Sequence, residues 1–203
     1  MRVRVDWTVP VGRPDPVHGT GARREERLLA TGAGLGAVAL VLAVGPSGQT
    51  WAAWQYALAA LVTFDLAGGV VANGLNSAKR DHHGADSPLE ASRLGRLVRR
   101  PVRFAVVHVQ PVAVGLLFPG ASWWWGPLWY VAVLASVVVV RRAALHLQRP
   151  VALGCCVVAT VIAPGLPAPD GFAWLPVVMF LKLTLAHAVR EEPYRPVTGP
   201  STG

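Results

Sequence analysis

Charge is scarce in this chain: of 203 residues only 15% are charged, while 53% are hydrophobic. A water-soluble domain of this length carries more charge and shorter apolar runs, so that class is excluded first. Cysteine is nearly absent. Cys155 and Cys156 are adjacent within an apolar run and have neither CxxC nor zinc-type spacing, which argues against a disulfide framework or a thiolate metal site. Basic residues are missing from three connections, near 46–50, 119–121 and 168–171, although the chain holds 19 of them.

Apolar runs are what the sequence has in abundance. Six can be drawn, at 28–45, 53–75, 102–118, 122–140, 151–167 and 172–189. About 20 helical residues cross a hydrocarbon core of about 30 Å. The fold class expected is therefore an all-α polytopic membrane protein with six transmembrane helices. The three connections without Lys or Arg alternate with basic ones, and positive charge is retained in the cytoplasm during insertion, so both termini are placed inside. Seven of the eight tryptophans fall at the opposite, outer ends: Trp51, Trp54, Trp123, Trp124, Trp125, Trp129 and Trp174. Indole rings settle at the headgroup boundary, which supports the same orientation. The location expected is the cell (inner) membrane, multi-pass. The 28–45 run ends in a small-x-small pattern, Ala43-Val44-Gly45. A polar region of about 27 residues with several prolines precedes it, so it is read as a retained helix rather than a cleaved signal.

The organisation expected is a cytoplasmic N-terminal arm (1–27), a six-helix membrane domain (28–189) and a disordered C-terminal tail (190–203). The fifth run, interrupted by Pro164 and Pro167, reads as short, broken or re-entrant. Between the second and third spans, 88–100 reads as an Arg-rich interfacial helix. Ser87-Pro88-Leu89-Glu90 is a capping-box start, Leu94, Leu97 and Val98 share a face, and Arg93, Arg96, Arg99 and Arg100 flank it. Gly32 and Gly36 at GxxxG spacing suit close helix packing, or a homo-oligomer through that face. The net charge of +8 sits at segment ends with no interleaved aromatics. The partners implied are the bilayer and its anionic headgroups, and no nucleic acid.

Asp65 is the one acidic residue well inside a span, about 15 Å deep at 1.5 Å per residue. A carboxylate there must face the bundle and find a partner. Gly69, Asn73, Asn76 and Arg80 follow at spacings that place them on the same helical face. His108 lies within the third run beside Gln110 and Pro111, and Lys182 and His187 lie in the sixth. Asp65, His108, Asn73, Asn76 and Lys182 are the candidate catalytic set, with His108 as base and Asp65 orienting it. Lys79, Arg80 and His187 are the candidate headgroup ligands. No cofactor is assigned. A divalent metal is conceivable on Asp65, His82, His83 and His108, since imidazole and carboxylate suit zinc or iron. No HxxxH or HxxHH pairs, no Ser–His–Asp spacing, no phosphate-binding glycine loop and no internal repeat is present.

These residues suit a membrane-embedded enzyme acting on a lipid or lipid-linked substrate from the cytoplasmic leaflet. A non-catalytic scaffold and a small proton-coupled transporter are the alternatives. The scaffold would use the Asp65–Lys182 pair only for helix packing, and the transporter would titrate Asp65 and His108 along a polar path.

Overall fold

A computed structural model describes residues 3–44 and 51–196. Gly45, the connection near 46–50 and tail residues 197–203 lie outside the described residues. The chain is mainly helical. Helix α1 (Arg24–Val44) starts ahead of the apolar run at 28, because Glu25 and Glu26 occupy its first turn, where the helix dipole favours negative charge. The Glu26 carboxylate also accepts from the Arg23 N–H at 2.8 Å. Helix α2 (Ala53–Gly74) opens with Gln55 reaching back to the Ala52 N–H at 2.8 Å. After an extended Leu75 the chain re-enters helix as α3 (Asn76–His83). Helices α4 (Arg93–Val98), α5 (Pro101–Val106), α6 (Gln110–Leu117), α7 (Trp125–Arg142), α8 (Gln148–Ile162) and α9 (Leu175–Met179) follow. A π-helical stretch, Phe180–His187, continues α9.

Among the described residues, three helices are long and apolar enough to cross a membrane: Arg24–Ala43, Ala53–Gly74 and Leu145–Gly165. Pro101–Leu117 and Leu175–His187 are shorter apolar helices. The architecture is consistent with a helical membrane protein, with three of the six expected segments at full spanning length. The fifth segment, expected to be short or broken, is one of those three. Pro164 falls in a terminal 3₁₀ turn (Ala163–Gly165) that extends α8 rather than interrupting it, and Pro167 lies beyond that turn. The interrupted segment is the third. Outward surfaces are apolar: Leu35 and Leu40 on α1, Val131 on α7 and Val157 and Val161 on α8 are all exposed. A water-facing surface seldom carries so much exposed aliphatic side chain.

The core runs down α7, where Trp125, Trp129, Val133, Val137 and Val140 pack against Leu66, Met179, Phe180, Leu183 and Cys156. Helix α1 packs on α2 alone among the long helices, and does so through Gly34, buried against Phe64. Gly32 and Gly36, expected to serve helix packing, face outward with nothing within 4 Å of a built Cβ.

Two of the connections free of Lys and Arg, 119–121 and 168–171, meet at one end, beside Trp51. Trp51 stacks on Phe172 at 5.7 Å and meets Phe118 at 5.0 Å, and the Asp170 N–H bonds the Pro119 carbonyl. The tryptophans at this end do not all form a girdle. Trp54 and Trp123 are exposed, but Trp51, Trp125 and Trp129 are buried in the core, because a ring so large is most favourable where it excludes lipid and water alike.

The opposite end departs from expectation in three places. The stretch 88–100 is not one helix. A 3₁₀ turn (Pro88–Ala91) is separated from α4 by Ser92, whose hydroxyl caps Gly95 N at 2.9 Å, and Leu89 and Val98 are buried in the protein. The arm is docked rather than loose. Asp81, fully buried, accepts from the Thr20 N–H and, at 2.7 Å, from Ser87 Oγ, while Ser77 Oγ donates to the His18 carbonyl at 2.6 Å. The tail, expected to be structureless from 190, is held over 190–196. Strand β2 (Tyr194–Pro196) pairs antiparallel with β1 (Val3–Val5), and Tyr194 N donates to Asn76 Oδ1 at 2.8 Å.

The packing predicts opposite outcomes for two neighbouring glycines. A Cβ on Gly34 would lie 2.7 Å from the Phe64 ring, whereas one on Gly36 meets nothing. Gly34→Val should lower stability in detergent by about 1–3 kcal/mol, the usual cost of overpacking, and Gly36→Val should be near neutral. Thermal unfolding of the two variants checks this, and equal destabilisation would refute the α1–α2 contact.

Candidate functional site

Asp65 sits in the middle of α2, where a carboxylate needs partners inside the bundle. It has two. Lys182 Nζ donates to Asp65 Oδ2 at 2.8 Å, and Gln110 Nε2 donates to the same oxygen at 3.1 Å. Lys182 reaches across only because residue 69 is glycine: a Cβ there would lie 2.5 Å from Lys182 Cε and 3.0 Å from its Nζ. The Lys182 side chain is 3% exposed while that of Asp65 is 46% exposed, so the pair is anchored from the core and faces outward at the carboxylate.

Both helices that meet α2 here are irregular. Lys182 and His187 belong to the π-helical stretch, with Ala188 N bonding Leu183 O at 3.0 Å. Such stretches carry an extra residue and recur at functional sites. The third apolar segment breaks at 107–109. Pro111 has no N–H to offer the Val107 carbonyl, and His108 N turns to Ala105 O at 3.0 Å. The Phe104 carbonyl, freed by that turn, is taken by the His108 ring: Nδ1 to oxygen is 2.6 Å. A carbonyl only accepts, so Nδ1 carries the proton and Nε2 holds the lone pair.

Asp65, Gly69, Asn73, His108, Gln110 and Lys182 line one cavity of about 320 Å³. Asn73, His108 and Lys182 are buried, whereas Val17 of the arm, Leu94 of α4 and Val107 on the same cavity are exposed. Buried Asn73, His108 and Lys182 thus lie behind an exposed rim made of aliphatic side chains and the Asp65 carboxylate. Chemically the cavity offers a carboxylate, an ammonium and a neutral imidazole nitrogen able to accept a proton, on elements fixed by their own hydrogen bonds.

Other candidate residues lie elsewhere. Asp65, Gly69 and Asn73 share a face as expected, but the extended Leu75 ends it. Asn76 turns to Tyr194, and Arg80 lines a separate polar cavity. His82, His83 and His187 gather behind Asn73 rather than at the mouth. The His82 and His187 rings are 4.7 Å apart, and His187 Nδ1 approaches Asn73 Oδ1 at 3.4 Å. Burial, reinforced by the nearby charges of Lys79 and Arg99, pushes His82 down to about 3; burial with Lys79, His82 and Arg141 pushes His83 to about 2. Both imidazoles are neutral at physiological pH.

The metal set Asp65, His82, His83 and His108 is not assembled: among the described residues no three His, Cys, Asp or Glu side chains are placed to hold an ion. Lys79 does not face a headgroup either. It is 1% exposed and donates to the Ala186 and Val189 carbonyls, the latter at 2.8 Å, which caps the last helix. Burial lowers it to about 8, with Glu191 at 3.5 Å working the other way. His187, fully buried, has no route to a headgroup. Gln110 was noticed in the sequence only as a neighbour of His108. Its signal is an amide inside an apolar run beside a proline, whereas Asn73 was marked by its helical spacing from Asp65.

Searches against family models, curated proteins and solved structures give no match.

Removing one member of a charge pair is worse than removing both. Lys182→Met should lower stability in detergent by about 1–3 kcal/mol, less than a fully buried pair would lose because Asp65 is half exposed. Asp65→Asn combined with Lys182→Met should recover part of that loss. Melting temperatures of the single and double variants decide it, and strictly additive losses would show that the two charges are uncoupled.

Proposed function

We propose that the chain is a six-span inner-membrane protein with both termini in the cytoplasm, and that it acts as an enzyme on a lipid or lipid-linked substrate entering from the cytoplasmic leaflet. The orientation rests on the basic residues: the connections 119–121 and 168–171, which lack them, lie at the Trp51–Phe118–Phe172 end, and the arginine-bearing arm, α3, α4 and residues 190–196 lie at the other. A reporter active only outside the cytoplasm should give signal when inserted at Gly120 or Gly171. Signal from Gly84 instead would invert or abolish this topology.

The observation that carries the enzymatic reading is the polarity order of the Asp65 cavity. Buried Lys182, Asn73 and His108 lie behind the exposed aliphatic side chains of Val17, Leu94 and Val107. An amphiphile matches that order, with its head against Lys182 and Asp65 and its chain leaving past Leu94 and Val107. Lys182 supplies positive charge to an anionic head or developing oxyanion, and His108 Nε2 takes the proton from an attacking hydroxyl or water. Asp65 holds Lys182 in place.

A photoactivatable lipid analogue should label the protein at Leu94 or Val107 in preference to outward-facing Val157. Total membrane lipid incubated with the purified protein should show one species converted, and His108→Gln should slow that conversion by about 10²–10⁴-fold, the usual loss for a general base. Labelling confined to Val157 rejects the binding site. Labelling at the cavity without conversion rejects catalysis and leaves a lipid-binding accessory protein.

A further inference from the structure

A second cavity, of about 370 Å³, lies at the arginine-bearing end, between the arm, the start of α1, α3 and β2. Arg80 of α3 lines it. The side chain is 6% exposed, and its Nε and Nη1 are buried without a hydrogen-bond partner. A buried cation needs a counter-charge, since one left unpaired costs several kcal/mol.

Each nearby carboxylate is already engaged. Asp81 is held by Thr20 N and Ser87 Oγ. Asp6 accepts from Thr8 N at 2.9 Å and faces Arg195 at 3.4 Å and Arg4 at 3.5 Å. Glu26 caps the Arg23 N–H, and Glu25 lies 3.8 Å from the Arg23 guanidinium. Among the described residues Arg80 is the cation on this cavity that makes no ion pair, with Glu26, Asp6 and Asp81 acting on it only from a distance. On the same cavity Asn76 has its Oδ1 taken by Tyr194 N, which turns its amide NH₂ into the available group, and Arg195 stands opposite.

We infer that this cavity is a binding site for a phosphate-type oxyanion, with Arg80 as its principal charge and Asn76 and Arg195 as supporting donors. A guanidinium fork matches phosphate oxygens in pairs, and here donors from two separate elements, α3 (Arg80, Asn76) and β2 (Arg195), face one cavity that an anion can join. Glu25 and Glu26 also line the cavity but are turned to Arg23, which leaves the positive charge of Arg80 and Arg195 for the anion, and the lining lacks the aliphatic mouth of the Asp65 cavity. Because Arg80 follows the break at Leu75, this site is separate from that cavity and stands without the enzymatic reading. Its binding draws the arm, α3 and the C-terminal strand together.

The full chain in phosphatidylcholine nanodiscs, titrated with inorganic phosphate against chloride at matched ionic strength, should show a saturable rise in melting temperature. Arg80→Gln should weaken phosphate binding about tenfold or more, as loss of a charged hydrogen bond does. Without phosphate, Arg80→Gln should be at least as stable as the parent, because it removes an uncompensated buried charge. Arg80→Lys, which keeps the charge and loses the fork, should bind with intermediate affinity, and Asp65→Asn should bind as the parent does. A response that arises only when phosphatidic acid is included supports the same phosphate recognition with a lipid headgroup as the source. No response of the parent to either, or unchanged binding by Arg80→Gln, overturns the site. So does an Arg80→Gln variant that is destabilised without phosphate, which would give Arg80 a partner inside the fold.

Discussion

A buried ammonium must find a counter-charge, and the pairing of Lys182 with Asp65 organises the centre of this protein. Asp65 on α2 and Lys182 on the last helix are 117 residues apart in sequence, yet they meet at 2.8 Å. Glycine at 69 clears the path for the lysine, and Gln110 brings the third apolar segment to the same oxygen. Three segments are thereby tied at one point, and the remaining irregularities radiate from it. In a low-dielectric setting such a contact also sets specificity of packing, because any register that separates the pair leaves two charges exposed to hydrocarbon.

The helices around that contact give up regularity to make it. The break at 107–109 frees backbone carbonyls, and the His108 ring recovers one of them. The π-helical stretch holds Lys182 and His187. Irregular backbone at membrane depth is tolerated where it is enclosed by protein or lines a cavity, and here it does line one. The irregular backbone and the polar side chains that line the cavity therefore coincide.

The arginine-bearing end follows a different logic, that of charge allocation. Lys79 spends its ammonium on the carbonyls that close the last helix, Asp81 on the arm, and Asp6 on Arg4 and Arg195. These contacts pin both terminal segments, with β1 and β2 pairing across them. Residues 3–23 and 190–196 thus form a folded platform on the bundle.

The sequence alone determined a helical, apolar character consistent with a membrane protein, the positions of the apolar segments and which connections lack basic residues, because these follow from composition over windows of about 20 residues. It also singled out Asp65, Asn73, His108 and Lys182, since a polar residue in an apolar run is conspicuous without any structure. Only the tertiary structure decided where helices stop. Nothing in Asn73-Gly74-Leu75-Asn76 compels the extended Leu75, yet that one residue sends Asn76 and Arg80 to a different cavity. It likewise decided that Gly34 rather than Gly32 and Gly36 meets α2, and that three tryptophans leave the boundary for the core. The fates of Lys79 and the terminal segments turned on partners more than 100 residues away, as in Lys79 with Val189 and Asn76 with Tyr194. Local composition carries no record of such partners. Periodicity reports which face a residue occupies, whereas the neighbour on that face is chosen by packing of the whole chain.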